Sequence, residues 1–196
     1  MTTERRSPQD LMQSRQQSGF RPPPGQAMKR YDELLADLNR AIELDPGDAR
    51  AIASHGHAYM LMERYGEALA DLDRAIELDP GHAWAIGNRG YTYRRMERYD
   101  EALADLSRAI ELDPGHAWAI ASRGETYRMM KRYDQALTDL NRAIELDPGQ
   151  ESALTSRGRI YRMMKRYDEA LVDLDRAIEL DPATPRRSAA ALMSAM

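Results

Sequence analysis

Residues 83–116 read AWAIGNRGYTYRRMERYDEALADLSRAIELDPGH. In the first half Ile86, Gly90, Tyr93 and Met96 recur at spacings of four, three and three, which is one face of a helix. In the second half Ala102, Leu103, Leu106, Ala109 and Ile110 form another such stripe. Glu97-Arg98-Tyr99 is a short connection, and Asp100 and Glu101 place negative charge in the first turn of the second helix. Asp113-Pro114-Gly115 ends that helix, because proline disfavours helix in the residue before it and cannot donate to the ladder. The stretch predicts two helices joined by a tight turn.

Reading outward, the same phrase returns. Pro46, Pro80, Pro114, Pro148 and Pro182 are each 34 residues apart, and each closes Arg-Ala-Ile-Glu-Leu-Asp-Pro. Self-similarity at such a period marks a stacked repeat architecture. The units are 49–82, 83–116, 117–150 and 151–184, preceded by a half unit at 29–48. Gly56, Gly90, Gly124 and Gly158 stand mid-helix, where glycine costs about 1 kcal/mol against alanine. A small residue repeated there predicts close approach of a neighbouring backbone.

Ile86, Gly90, Tyr93, Ala102, Leu106, Ala109 and Pro114, in that order, resemble the tetratricopeptide repeat signature, and the resemblance covers about 29–184. It implies an all-α fold, a right-handed α-α superhelix of about four and a half repeats. In it helix pairs would stack so that the first helices line a concave, ligand-binding face. Two positions depart from the family pattern. His55, Arg89, Arg123 and Arg157 stand where leucine is usual, and Glu63, Glu97, Lys131 and Lys165 replace the turn glycine. A non-glycine residue costs something at a position that often needs positive φ. The arginine stems should pack while the guanidiniums reach water or a nearby carboxylate.

Composition bounds the function. The 196 residues carry a formal charge of −4 and no cysteine, which removes disulfides, zinc-thiolate sites and thiol nucleophiles. No apolar run reaches the roughly 18–20 residues of a membrane span, and the polar start does not read as a signal peptide. The expectation is a cytoplasmic protein without membrane contact. Residues 31–184 sum to −10, yet the first helices sum to +7, leaving −17 elsewhere. The charge is segregated into a basic groove and an acidic back, and an acidic body with basic ends argues against general nucleic-acid binding. Asp105, Arg108 and Glu111, with their equivalents, are expected to form a solvated ladder of ion pairs.

By the same helical geometry and the resemblance, the groove candidates are Arg50, His57, Trp84, Asn88, Tyr91, Arg94, Arg95, Trp118, Ser122, Glu125, Arg128, Arg159 and Arg162. Trp84 and Trp118 either seal against the preceding turn or serve as exposed anchors of the kind interfaces favour. Four histidines show no metal-binding spacing, and no phosphate loop, nucleophile elbow or carboxylate pair appears. Neither a cofactor nor catalysis is expected. Of the residues with which some relatives clamp a chaperone's C-terminal carboxylate, only Asn88 has a counterpart; Ala53, His57, Trp118 and Ser122 stand at the others. The expected role is a non-catalytic scaffold that binds a protein or peptide, acidic and with an apolar anchor. Head-to-tail self-assembly through incomplete end repeats is the first alternative, and single-stranded nucleic acid the second.

The ends read separately. Residues 1–28 read as a tail that is either disordered or carries a short helix near 8–17, with Gly19 to Gly25 a Pro-rich extended linker. Residues 185–196 are either a disordered tail or a capping helix.

Overall fold

The computed structural model describes residues 24–180. Among them it is all helix and turn, without a strand. The helices are α1 (Pro24–Leu44), α2 (Ala49–Leu61), α3 (Tyr65–Leu78), α4 (Ala83–Arg95), α5 (Tyr99–Leu112), α6 (Ala117–Met129), α7 (Tyr133–Leu146), α8 (Glu151–Met163) and α9 (Tyr167–Leu180). The first helix of each pair (α2, α4, α6, α8) is called A and the second B. The chain forms two compact units, 1–92 and 93–196, divided within α4. The expected helix near 8–17 and the tail 185–196 lie outside the described residues. Pro24 and Gly25, expected in the extended linker, belong to α1 instead, and the rest of that stretch lies outside the described residues. Proline's missing N–H costs nothing in a first helical turn, so α1 can start on it.

In the first unit α2 and α3 pack as a hairpin, with α1 against α2. Ile52, Ala53, Leu72, Ala75 and Ala85 are its buried core, flanked by Ile42, Ile76 and Trp84. In the second unit α6 pairs with α7 and α8 with α9, while α5 lies against α6 and α7 against α8. Gly56, Gly124 and Gly158 do what their spacing predicts. A Cβ on Gly56 would come within 3.0 Å of the Ala68 carbonyl oxygen, and one on Gly124 within 2.9 Å of Leu140 Cγ. A and B helices touch along these glycines.

Each A–B turn has one construction. Glu63, Glu97, Lys131 and Lys165 have φ of 59°, 60°, 60° and 60°. The N–H of each bonds the carbonyl three residues back, and the next N–H reaches five back: Glu63 to Met60 at 3.0 Å, Arg64 to Tyr59 at 3.0 Å. This is a Schellman ending built without its usual glycine. The hydrophobic contact that normally accompanies it is here a cation over a ring. Arg64, Arg98 and Arg166 each lie 4.4 Å from the ring centroid of Tyr59, Tyr93 and Tyr161, and Arg132 lies 4.8 Å from that of Tyr127. Three of these arginines also pair with a glutamate in the first turn of the B helix, Arg64 with Glu67, Arg98 with Glu101 and Arg166 with Glu169.

The Asp-Pro-Gly turns are closed by the aspartate side chain, as Asp79 Oδ1 accepts from the Gly81 N–H at 3.0 Å and Asp147 Oδ1 from Gly149 at 3.0 Å. The B-helix arginine of the next repeat clasps the turn. Arg74 Nη2 donates to the Pro46 carbonyl at 2.8 Å, and Arg142 Nη2 to that of Pro114 at 2.7 Å.

The expected solvated ladder of Asp105, Arg108 and Glu111 holds only in part: the equivalents Arg176 and Glu179 pair on the surface at 3.1 Å, but the aspartates leave it. Asp105, Asp139 and Asp173 are buried. Asp139 and Asp173 instead hold Arg123 and Arg157 of their own A helices, each through two hydrogen bonds of 2.6–2.8 Å. The inward arginines thus find the carboxylates that local i,i+3 spacing had assigned to the surface. They also reach the preceding B helix, Arg123 to Ser107 Oγ at 3.2 Å and Arg157 to Asn141 Oδ1 at 2.8 Å. In the first unit His55 meets Asp71 at 2.7 Å, and Arg89 reaches back to Asp73 at 2.8 Å.

Candidate functional site

The A helices carry the groove candidates, and each unit arranges its own. In the first unit Arg50 is exposed near the start of α2, while Trp84 and Tyr91 on α4 are half-buried. His57 and Asn88, assigned to the open face, are buried. The reason is their pairing across α2 and α4: His57 Nδ1 donates to Asn88 Oδ1 at 2.6 Å, and Asn88 Nδ2 donates to the Trp84 carbonyl at 2.8 Å. The rings of His57 and Trp84 lie 5.2 Å apart. Burial pushes the His57 imidazole below its usual range, against the smaller, opposite effect of the Asn88 hydrogen bond. A neutral, bonded His57 is part of the packing between A helices.

Both tryptophans meet the histidine of the turn just before them. The Trp84 ring lies 6.2 Å from that of His82, tilted by 35°, and the Trp118 ring 5.9 Å from that of His116, tilted by 39°. Both tryptophans are half-buried residues.

In the second unit Ser122 is buried on α6, its carbonyl accepting from the Thr126 hydroxyl at 2.8 Å. Trp118, Glu125, Arg128 and Arg94 are half-buried, whereas Arg95, Arg159 and Arg162 are exposed. Glu125 and Arg128 form a two-pronged pair, Nε to Oε2 and Nη2 to Oε1, both 2.8 Å. Burial opposes ionisation of Glu125, but hydrogen bonds from Arg128 and Ser156 and the fields of Arg128 and Arg94 outweigh it and hold the carboxyl below its usual range. On α8 the equivalent positions are Arg159 and Arg162, followed by Met163, half of whose surface is exposed. Neither arginine has an acidic partner among the described residues. Of the thirteen residues named from spacing, the structure separates those that face solvent from those spent on packing.

No group of three or more His, Asp and Glu side chains suited to a metal occurs among the described residues. No helix among them is long and apolar enough to cross a membrane.

Tetratricopeptide repeat models match residues 48–114, 82–149 and 152–183. The chain belongs to the tetratricopeptide repeat family. Its all-α helical repeat is shared with solved tetratricopeptide proteins. TTC0263, a thermophilic TPR protein of Thermus thermophilus, is 22% identical, with a TM-score of 0.72 over 86% of this chain and 91% of that one. YrrB, described as a TPR protein with an unusual peptide-binding site, is 26% identical, with a TM-score of 0.62 over 87% of each chain. The first TPR of Spaghetti (RPAP3), solved bound to the HSP90 peptide SRMEEVD, is 23% identical, with a TM-score of 0.57 over 60% of this chain and 93% of that one. No curated protein matches the sequence.

Proposed function

We propose that this tetratricopeptide protein is a non-catalytic cytoplasmic scaffold that binds an acidic segment with an apolar anchor on the open side of its A helices. The observation that carries the reading is the contrast between α6 and α8. On α6, Arg128 is neutralised by Glu125 at 2.8 Å. On α8 the acid is replaced, leaving Arg159 and Arg162 three residues apart. Like charges at that spacing repel, and a ligand carboxylate relieves the repulsion with charge-assisted hydrogen bonds. Met163 beside them supplies a polarizable apolar contact.

Two relatives support peptide binding by such a fold, YrrB through its peptide-binding site and Spaghetti through its bound SRMEEVD, which carries acids after a methionine. The chain's means of reading acid are its own. Asn88 is committed to His57 and Trp84, so arginines carry the recognition.

Selection from a displayed library of random peptides tests the reading. Enriched peptides should carry an excess of Asp and Glu around a large apolar residue, and should bind less well as salt rises. The Arg159→Glu, Arg162→Glu double variant should lose them while keeping its helical circular dichroism. Enrichment without acids, or full binding by that variant, overturns the proposal.

A further inference from the structure

The second unit repeats the same A–B turn three times, at 96–98, 130–132 and 164–166. Each A helix runs into its B helix through one of these turns and each B helix into the next A through Asp-Pro-Gly. The A–B turns therefore share one edge of the unit. That edge is unusual in two respects.

It is apolar where a turn is normally polar. Met96, Met129, Met163 and Met164 are 38%, 43%, 50% and 40% exposed. It also carries charge at strained positions: Glu97, Lys131 and Lys165 occupy left-handed backbone that glycine would adopt freely. Strain held at a surface residue points to a role for its side chain. Glu97 and Lys131 are both exposed, and among the described residues neither side chain has a hydrogen bond or ion pair.

We propose that this edge is a self-association surface, on which two copies of the chain meet about a two-fold axis with Glu97 of each against Lys131 of the other. A two-fold contact is self-complementary: if residue i meets j, then j meets i. With the axis between the turns at 97 and 131, both ion pairs form and Met96 and Met129 of the two copies meet between them. Other registers are worse. An axis through the turn at 131 also pairs Glu97 with Lys165 twice but sets Lys131 against Lys131 at its centre, and one between 131 and 165 sets Lys131 against Lys165 twice. The methionines supply contact area that is adaptable and dry, and the charges choose the register.

The chain's lack of cysteine makes the pairing directly measurable. Sedimentation and light scattering from tens to hundreds of micromolar should show the 22.3 kDa chain doubling in mass. Lys131→Glu alone, or Glu97→Lys alone, should weaken the dimer by about tenfold or more, with helical content unchanged. The double swap Glu97→Lys, Lys131→Glu should restore it. A mixture of Glu97→Cys and Lys131→Cys copies should form a disulfide-linked dimer under mild oxidation, whereas Lys165→Cys copies mixed with Lys131→Cys should not. A wild-type chain that stays monomeric across the range, single reversals without effect, or a double swap that fails to restore the dimer overturns the proposal.

Discussion

Arg123 grips Asp139 through two parallel hydrogen bonds, Nε to Oδ2 at 2.7 Å and Nη2 to Oδ1 at 2.8 Å, and so ties helix α6 to α7 sixteen residues on. The carboxylate is the more buried partner, with 7% of its side chain exposed against 20% for the arginine. Removing the arginine strands a charge with little access to water. Arg123→Ala should therefore cost roughly 2–4 kcal/mol, and replacing both residues by leucine should recover much of it. Urea unfolding of the two variants checks the difference, and equal losses would contradict this account of the pair.

Two glycines should respond in opposite directions to the same change. A methyl on Gly124 would meet Leu140 Cγ at 2.9 Å and the Ala136 carbonyl oxygen at 3.2 Å, whereas at Gly66 it would meet nothing within 4 Å. Gly124→Ala should lower stability by about 1–3 kcal/mol through overpacking. Gly66→Ala, in the first turn of α3, should raise it by up to about 1 kcal/mol. Thermal unfolding followed at 222 nm reads both.

Stabilisation is also available at the helix ends. Lys165 holds φ at 60°, so Lys165→Gly should release about 0.5–1 kcal/mol of backbone strain. Asp48 caps α2 by accepting from Arg50 N at 2.9 Å and Ala51 N at 3.1 Å, while Gln150 at the same position of α8 makes no such bond. Gln150→Asp should add about 1 kcal/mol. Differential scanning calorimetry on the two variants should show higher Tm values, and a fall in either would refute that part.

Stability should decline in acid, and the sign follows from His57, His82 and His116. Burial lowers all three below 6.5. Between 6.5 and the folded-state value the unfolded chain binds more protons than the folded one, so stability rises with pH through that window and falls as pH drops below 6.5. Tm measured from pH 7.5 down to 5 should decrease. His57→Gln, which keeps a hydrogen-bonding group but cannot titrate, should flatten the slope.

The helix pairs were legible from the 34-residue period, because Pro, Gly and Ala at fixed offsets state both helix ends and close contacts. The paired arginines were half legible: an inward Arg123 implied a carboxylate, but Asp139 was read as a surface residue because its neighbours at i+3 satisfied a local pattern. The fixed separation of sixteen residues in Arg123–Asp139, Arg157–Asp173 and His55–Asp71 was the available signal. Burial of His57 and Asn88 was beyond a helical projection, which describes one helix in isolation and knows nothing of the A helix laid beside it.

The clasp of Arg74 on Pro46 and of Arg142 on Pro114 has a mechanical consequence. Each links a B helix to the turn that begins its own repeat, 28 residues earlier in the chain, and so closes that repeat as a loop. A chain pulled from its two ends must break such a latch before a repeat can release its length. Extension should proceed in steps of one repeat, each releasing on the order of 110–120 Å of contour. Arg142→Ala should lower the force of one step while leaving its length unchanged.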